Sequence, residues 1–304
     1  MILLKDRTNS VTHRVLESLN ARMNLPDEEK KKYENQVKGF AGEKQFDFHM
    51  TQTHPFGIIL NDLVLTHRDT VFQIDSLLIT NDSVYVYEVK NYTGTYFYKE
   101  DSFFAESGYK ILNPLRQIDR SATYLHNVML RLGYRLTIHS VIVFINPDFQ
   151  LYSLLPNKLF VFSNQLSKHL NNLPSQDISL KHEQLELANK LKEFHNENYR
   201  PDNLPIYIFD HLKKGIICPI CFSIRYTTTR QNYFCTACGY KETNRQAIER
   251  SIKEFKVLFP DLMLTTTRIY QWCGEIYSRQ HIRIILKKNY QSQLSRHMTY
   301  YSEN

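Results

Sequence analysis

Two acidic residues and a lysine occur in two neighbouring segments that are typical of β-strands. Gln73-Ile74-Asp75 leads into one apolar, β-branched stretch and Tyr87-Glu88-Val89-Lys90 ends another, with Asn81-Asp82 between them. A two-residue connection of this kind predicts a β-hairpin in which Thr80 pairs with Ser83. In that register Asp75 lies opposite Glu88, and both side chains emerge on the same face.

The chemistry that this arrangement predicts is metal-assisted hydrolysis. Opposed side chains on antiparallel strands have Cβ atoms about 5 Å apart, and two like charges there destabilise the sheet unless a cation offsets them. Lys90 shares the face of Glu88 at about 6.6 Å, close enough to reach a water or a substrate phosphate. The alternative is that Glu88 and Lys90 form a simple ion pair on an edge strand.

Four of the five cysteines form two Cys-x-x-Cys pairs, Cys218 with Cys221 and Cys235 with Cys238, separated by 13 residues. Two such pairs supply the four thiolates of a tetrahedral zinc site that has no open position for catalysis. Disulfides are the alternative, but they need an oxidising compartment, which no other feature of the sequence indicates. We therefore predict a structural Zn²⁺, and we expect Cys273 to be a buried small hydrophobic residue.

The net charge of +7 is concentrated in the C-terminal third of the 304-residue chain. Residues 1–200 hold 23 basic and 23 acidic side chains, whereas residues 201–304 hold 15 basic and 8 acidic ones. This excess favours a polyanionic partner, above all nucleic acid, although a solvated basic surface would look the same. No apolar run approaches the roughly 18 residues that span a bilayer, so we expect a cytoplasmic protein without a membrane partner.

The elements that must position these residues follow from hydrophobic periodicity. Residues 37–49 carry apolar residues at helical spacing, with Glu43 beside the apolar stripe. Gly39 and Gly42 lie in this predicted helix, and they indicate either close backbone packing or the start of the helix.

A sheet and a second helix are predicted after this first helix. Strand-type segments occur at 58–66, 71–80, 83–91 and 95–99, which predicts an antiparallel meander. Asn113-Pro114 predicts a helix start with Gln117 in the first turns, and residues 137–145 read as a strand buried on both faces. The predicted fold class is α/β, with a central mixed sheet flanked by helices.

The C-terminal segment predicts two short helices, 265–272 and 278–288, in an arrangement similar to a helix-turn-helix. The second of them carries basic residues that would suit contacts with DNA: Arg279, Arg283, Lys287 and Lys288. A basic, solvated helix that closes a small bundle is an equal alternative.

Four motifs together resemble the nuclease-related domain, NERD. They are Gly39-Phe40-Ala41-Gly42-Glu43, Gln73-Ile74-Asp75, Tyr87-Glu88-Val89-Lys90-Asn91-Tyr92-Thr93-Gly94 and Asn113-Pro114-Leu115-Arg116-Gln117. Their order and spacing agree with the family over residues 37–150. The resemblance implies a restriction-endonuclease-like core of the PD-(D/E)xK superfamily, similar to the Mrr-type endonucleases. The zinc ribbon and basic tail resemble accessory modules that are often attached to such domains.

The resemblance also implies roles for individual residues. Asp75 and Glu88 would be ligands of Mg²⁺ or Mn²⁺, and Lys90 would orient or activate the attacking water. Glu43 would support the metal or its water, and Gln117 would line the site. An exposed or helix-capping acid is the alternative for Glu43, and Ile74 stands where the superfamily often has a proline.

These observations predict both the domain organisation and the function. The predicted parts are an N-terminal helical segment (1–36), a NERD domain (37–200), a zinc ribbon (216–241) and a basic helical, helix-turn-helix-like module (242–304). The predicted function is a metal-dependent nuclease that cuts DNA above all other nucleic acids, whose zinc ribbon binds substrate or a partner protein. The alternative is a catalytically inactive DNA-binding or regulatory protein that retains the nuclease fold as a scaffold.

Overall fold

The chain divides into two compact units, described in a computed structural model over residues 1–53, 56–152, 159–173, 180–295 and 298–303. The first unit comprises Met1–Asn9 and Asn35–Tyr199, and the second comprises Ser10–Glu34 and Arg200–Asn304. The domain boundaries predicted from the sequence remain predictions.

The secondary structure contains both helices and strands throughout. The helices are α1 (Val11–Arg22), α2 (Asp27–Thr53), α3 (Pro114–Arg131), α4 (Ser163–Asn171), α5 (His182–Glu193), α6 (Asn244–Leu258), α7 (Thr266–Trp272) and α8 (Arg279–Asn289). The strands of the first unit are β1 (Ile2–Lys5), β2 (Ile58–His67), β3 (Thr70–Ile79), β4 (Ser83–Lys90), β5 (Gly94–Lys99), β6 (Ser102–Ala105), β7 (Lys110–Ile111), β8 (Thr137–Phe144), β9 (Phe149–Tyr152) and β10 (Phe160–Phe162). Those of the second unit are β11 (Tyr226–Thr228), β12 (Asn232–Cys235), β13 (Lys241–Thr243), β14 (Gln291–Ser295) and β15 (Met298–Ser302).

A six-stranded mixed sheet forms the centre of the first unit, with the strand order β1-β2-β3-β4-β8-β10. Strands β2, β3 and β4 are antiparallel to their neighbours in this meander. Strand β1 is parallel to β2, and β4, β8 and β10 run parallel to one another. A smaller sheet has the order β7-β6-β5-β9.

Both faces of the central sheet are covered by helices. Leu125 and Val128 of α3 and Leu187 of α5 belong to the apolar core on one face. Phe46 of α2 and Leu166 of α4 belong to the core on the other. Burial of each such side chain stabilises the fold by roughly 1.5–3 kcal/mol, so the sheet position is strongly fixed. The predicted fold class, a mixed sheet flanked by helices, is confirmed.

Helix α2 is longer than the sequence pattern predicted. It begins at Asp27, where Asp27, Glu28 and Glu29 form an acidic first turn that suits the positive end of the helix dipole. Gly42 is therefore inside the helix, and a Cβ atom there would lie 2.5 Å from Asn91 Cβ. Close packing, and not a helix start, explains Gly42. At Gly39, by contrast, an added Cβ would have no described neighbour within 4 Å.

The second unit has a core that includes the N-terminal helix α1. Arg22 at the end of α1 is fully buried, and its guanidinium carbon lies 3.7 Å from the centre of the Trp272 ring. Arg22 Nε and Nη2 donate to the two carboxylate oxygens of Glu254 at 2.8 and 2.7 Å. The buried charge of Arg22 is tolerated because the Glu254 carboxylate pairs with it through two hydrogen bonds.

The C-terminal segment contains a feature that the helical pattern did not predict. After α8, strands β14 and β15 form an antiparallel hairpin. The backbone N–H of Tyr301 donates to the carbonyl of Leu264 at 2.9 Å, and the Tyr301 side chain is buried. The two strands pair with each other over five residues, and the contact with Leu264 attaches the hairpin to the rest of the unit. In the part of the chain that the structure describes, no helix is long and apolar enough to cross a membrane.

Candidate active site and metal centre

The hairpin register predicted from the sequence is present between β3 and β4. Ser76 pairs with Tyr87, and the N–H of Thr80 donates to the carbonyl of Ser83 at 2.9 Å. The paired part of the two strands ends at Ser76 and Tyr87. Asp75 and Glu88 are the next residues beyond this pair, one on each strand. One carboxylate oxygen of Asp75 accepts a hydrogen bond from the backbone N–H of Val89 at 2.8 Å. This bond replaces the missing ladder bond and holds the carboxylate against β4.

Lys90 and Glu88 form an ion pair at the end of β4. The distance from Lys90 Nζ to Glu88 Oε1 is 2.6 Å, and Lys90 Nζ also donates to Gln117 Oε1 at 3.0 Å. Strand β4 lies between β3 and β8, so this pair is not on an edge strand, as the simpler alternative required. Gln117 reaches Lys90 because α3 starts at Pro114, where the Asn113 side chain accepts the N–H of Leu115 at 2.9 Å.

Glu43 is delivered to the same region by α2, together with Asp47 one helical turn later. Arg7, just beyond β1, binds both acids: its Nη1 donates to Glu43 at 2.7 Å, and its Nε and Nη2 donate to Asp47 at 2.7 and 3.0 Å. Arg7 Nη2 also donates to the backbone carbonyl of Asp75 at 2.8 Å. Arg7 therefore connects the helical acids to the strand that carries Asp75.

Asp62 is a further acid at this site that the sequence interpretation missed. The ladder between β2 and β3 skips one opposed pair, Asp62 and Asp75. Asp62 has a φ of 54°, in the left-handed region that non-glycine residues rarely adopt. Gln73 Nε2 donates to its carboxylate at 2.8 Å, and Lys5 Nζ donates to its backbone carbonyl at 2.9 Å. The turn between β2 and β3 would have revealed this opposition by the same register argument.

Arg7 and Asp47 were also missed, for different reasons. Asp47 stands four residues after Glu43 and could have been found from helical spacing. Arg7 has no local signal, because it reaches Glu43 and Asp75 only through the packing of β1 beside β2.

Burial dominates the electrostatics of the acidic cluster. Burial and the Asp75 carboxylate raise the pKa of Glu43 to about 8, although Arg7 opposes the rise. The same two causes raise the pKa of Glu88 to about 7, against the effect of Lys90. Burial also raises the pKa of Asp75, although Lys90 and the Val89 N–H lower it. Burial alone would lower the pKa of Lys90, but Glu88 and its other neighbours outweigh this and raise it.

The acidic groups of the cluster outnumber its basic groups. The acids of the cluster are Glu43, Asp47, Asp62, Asp75 and Glu88, and its cations are Lys5, Arg7 and Lys90; Asp6 and Glu197 also act on Lys5. In the described part of the chain, no three carboxylates bring their oxygen atoms within 4.8 Å of one another. Mg²⁺ usually takes one or two carboxylates and fills its remaining positions with water and phosphate, so Asp75 and Glu88 fit such a site.

The four cysteines of the second unit converge on one point. Their sulfur atoms all lie within 4.8 Å of one another, and the Cys218–Cys238 and Cys221–Cys235 distances between Sγ atoms are 3.6 and 3.5 Å. A tetrahedral zinc with Zn–S bonds of about 2.3 Å separates its sulfur ligands by about 3.8 Å. Strands β11 to β13 form the small sheet around these thiols, all of which are free. The set can therefore hold a metal such as zinc.

The four basic residues predicted to contact nucleic acid lie on α8. Arg279, Arg283, Lys287 and Lys288 are all exposed. Ser278 caps this helix by accepting the N–H of His281 at 3.2 Å. The structure thus brings these residues together on one helix of the second unit, whereas the carboxylate cluster belongs to the first.

A comparison of the sequence with models of known protein families gives a match that lies in the first unit. Residues 38–145 match the family model of the nuclease-related domain, NERD, which confirms the resemblance over these residues. All five residues predicted for the nuclease site fall inside the matched range: Glu43, Asp75, Glu88, Lys90 and Gln117. Searches of the curated proteins and of the solved structures gave no match.

Proposed function

We propose that this protein is a metal-dependent nuclease that hydrolyses phosphodiester bonds, above all those of DNA. The observation that carries the proposal is the position of Asp75, one residue beyond the β3–β4 ladder, beside the strand that carries the Glu88–Lys90 ion pair, inside a nuclease-related domain. A buried acidic cluster is unfavourable for a protein without a ligand, so its presence supports a bound cation.

Asp75 and Glu88 would hold Mg²⁺ or Mn²⁺, and Glu43 would support the same site from α2. A bound metal would lower the pKa of a coordinated water and would neutralise the negative charge that develops at the phosphate. Lys90 has a raised pKa, so it is an ammonium group at neutral pH and serves as a donor to a phosphate oxygen or to water. Gln117 keeps the Lys90 amine directed at the site, and Arg7 fixes Glu43 and the Asp75 backbone.

The C-terminal unit supplies the remaining parts of the proposal. Its four cysteines would hold a structural Zn²⁺, and its ribbon and basic helix would bind substrate or a protein partner. A zinc–thiolate site fits a reducing compartment, and we place the activity in the cytoplasm.

A cleavage assay tests the nuclease proposal. The protein is incubated with single-stranded DNA, duplex DNA and RNA, with Mg²⁺ or Mn²⁺, beside Glu88→Ala. Loss of Glu88 should lower the cleavage rate by more than the roughly 10–100-fold typical of losing an outer partner of a metal site. Glu106→Ala is the matched control, because Glu106 is an exposed acid of the same unit outside the cluster, and it should cut normally.

The second candidate function is a catalytically inactive DNA-binding or regulatory protein. The Glu88–Lys90 ion pair favours it, because the pair partly offsets the buried charge without a metal. If neither the wild-type protein nor Glu88→Ala cuts any substrate while both bind DNA equally, this second function replaces the first.

Metal analysis tests the cysteine site separately. We expect about one zinc per chain, lost in Cys218→Ser and retained in Cys273→Ser, because Cys273 lies outside the group of converging thiols. Undiminished zinc in Cys218→Ser would contradict the four-cysteine assignment.

A further inference from the structure

The end of the second unit has the topology of a winged helix. Helices α6, α7 and α8 are followed directly by the hairpin β14–β15, and Leu264, between α6 and α7, forms an antiparallel bridge with Tyr301 of β15. A single residue separates the end of α8 from the hairpin, so the hairpin flanks the C-terminal end of that helix. This order of elements leaves one face of α8 outside the bundle.

The two faces of α8 differ sharply. Ile282, Ile285 and Leu286 are buried and hold the helix against the core. The opposite face consists of two adjacent rows at four-residue spacing, and all of its members are exposed: Arg279, Arg283 and Lys287 in one row, Gln280, Ile284 and Lys288 in the other. The second row is unusual because it contains an apolar residue, Ile284, that is 59% exposed.

The charge of this face is not neutralised within the chain. Among the described residues, no carboxylate lies within ion-pair distance of Arg283, Lys287 or Lys288, whereas Arg245 of α6 is paired with Glu249 at 2.7 Å. Helix α8 itself contains no acidic residue. With Arg279, whose guanidinium carbon lies 4.8 Å from the centre of the Tyr270 ring, the face presents four cations and favours an anionic partner.

We propose that α8 is the recognition helix of a duplex-DNA binding site, with β14–β15 beside it. A helix is about 10–12 Å across with its side chains, and the major groove of B-DNA is about 12 Å wide. In that groove the basic row neutralises backbone phosphates, Gln280 has the donor and acceptor pair that reads adenine, and Ile284 has the apolar surface that contacts a thymine methyl.

The observations favour duplex DNA over other polyanions. The major groove of A-form RNA is too deep and narrow for side chains to read. Single-strand binding relies on exposed aromatic side chains that stack on bases, and α8 presents none on this face. Polar side chains link the two strands of the hairpin: Gln293 Nε2 donates to Ser302 Oγ at 2.9 Å, and the Tyr300 hydroxyl donates to Gln293 Oε1.

Binding of the full chain to fluorescent duplexes, without added divalent metal, tests this inference. The variant Arg283→Ala/Lys287→Ala should bind at least about tenfold more weakly. The plot of log affinity against log salt concentration should become shallower, with a slope smaller in magnitude by about two, because two phosphates are no longer neutralised by side chains. The matched control is Lys30→Ala/Lys31→Ala, which removes the same charge from an exposed part of α2 and should bind normally.

A second variant separates base reading from charge. Gln280→Ala should keep the salt slope of the wild-type protein. It should also lose roughly 10–100-fold of the preference for a duplex selected from a random library over a scrambled one. Zinc content and Trp272 fluorescence check that each variant is folded.

The inference is overturned if the α8 double variant binds duplex DNA as the control does, or if single-stranded DNA or duplex RNA binds as tightly as duplex DNA. It rests on the proposed function for the class of polymer, but the two can fail separately. Binding is measured where no bond is cut, so intact binding with no cleavage rejects the nuclease, and cleavage with unchanged binding of the α8 variant rejects this site.

Discussion

The buried carboxylate of Glu88 should make the metal-free protein less stable as the pH rises. The folded state raises the pKa of Glu88 from the ordinary value of 4.5 to about 7. Between these values the folded protein holds a proton that the unfolded chain has released, so stability is fully present below pH 4.5 and is lost as the pH rises to 7. At about 1.4 kcal/mol per pH unit, the loss from this one group is about 3 kcal/mol.

Glu88→Gln should remove that loss. Glutamine has the shape of the protonated acid, and its amide oxygen can still accept from Lys90. At pH 5 the variant and the wild-type protein should be about equally stable. At pH 8 without divalent metal, the variant should be the more stable by up to about 3 kcal/mol.

Magnesium should largely cancel this difference. A ligand at about 100 times its dissociation constant stabilises the folded state by about 2.7 kcal/mol. The wild-type protein should gain this amount at pH 8, and the variant, which lacks one charged ligand, should gain much less.

The measurement must report on the first unit. The single tryptophan, Trp272, lies in the second unit, so its fluorescence does not follow the carboxylate cluster. Hydrogen exchange of the β3 and β4 amides, measured in increasing urea, reports on the stability of the first unit. It should be measured at pH 5 and at pH 8, with and without Mg²⁺. A Glu88→Gln protein that is less stable than the wild type at pH 8 without metal would show that the Glu88–Lys90 pair outweighs burial, and the reasoning would be wrong.

Four further substitutions test the packing that the structure describes. Arg7→Lys should destabilise the first unit by about 3–5 kcal/mol in urea unfolding followed by circular dichroism, because an ammonium group cannot replace the guanidinium fork that holds two acids and a carbonyl; a change within 1 kcal/mol would contradict this. Gly42→Ala should destabilise by about 1–3 kcal/mol through its clash with Asn91, whereas Gly39→Ala should be neutral or stabilise by up to about 1 kcal/mol, and equal effects would refute the packing argument. Arg22→Ala should lower the stability of the second unit by about 3–5 kcal/mol and shift the tryptophan fluorescence, and an unchanged urea midpoint would refute the role of this buried ion pair.

The sequence was most informative where a few neighbouring residues set the geometry. The Asn81-Asp82 turn fixed the β3–β4 register, and Asn113-Pro114 fixed the start of α3 and so the place of Gln117. The failures were equally specific. The prediction of a helical module over residues 242–304 missed the hairpin β14–β15, whose strands pair with each other over five residues and contact Leu264 through Tyr301.

The sequence alone therefore determined the local parts of both sites: the opposed acids with their lysine, and the four converging cysteines. Turn chemistry, caps and ligand spacing act over a few residues, so they can be read in order along the chain. Tertiary structure decided which distant groups complete the carboxylate cluster and how strongly burial raises its pKa values. Arg7 meets Glu43 and Asp75 only because β1 pairs with β2. Asp62 lies in β2 and itself has a left-handed backbone conformation. Such contacts depend on the packing of the whole unit, and no short stretch of sequence contains them.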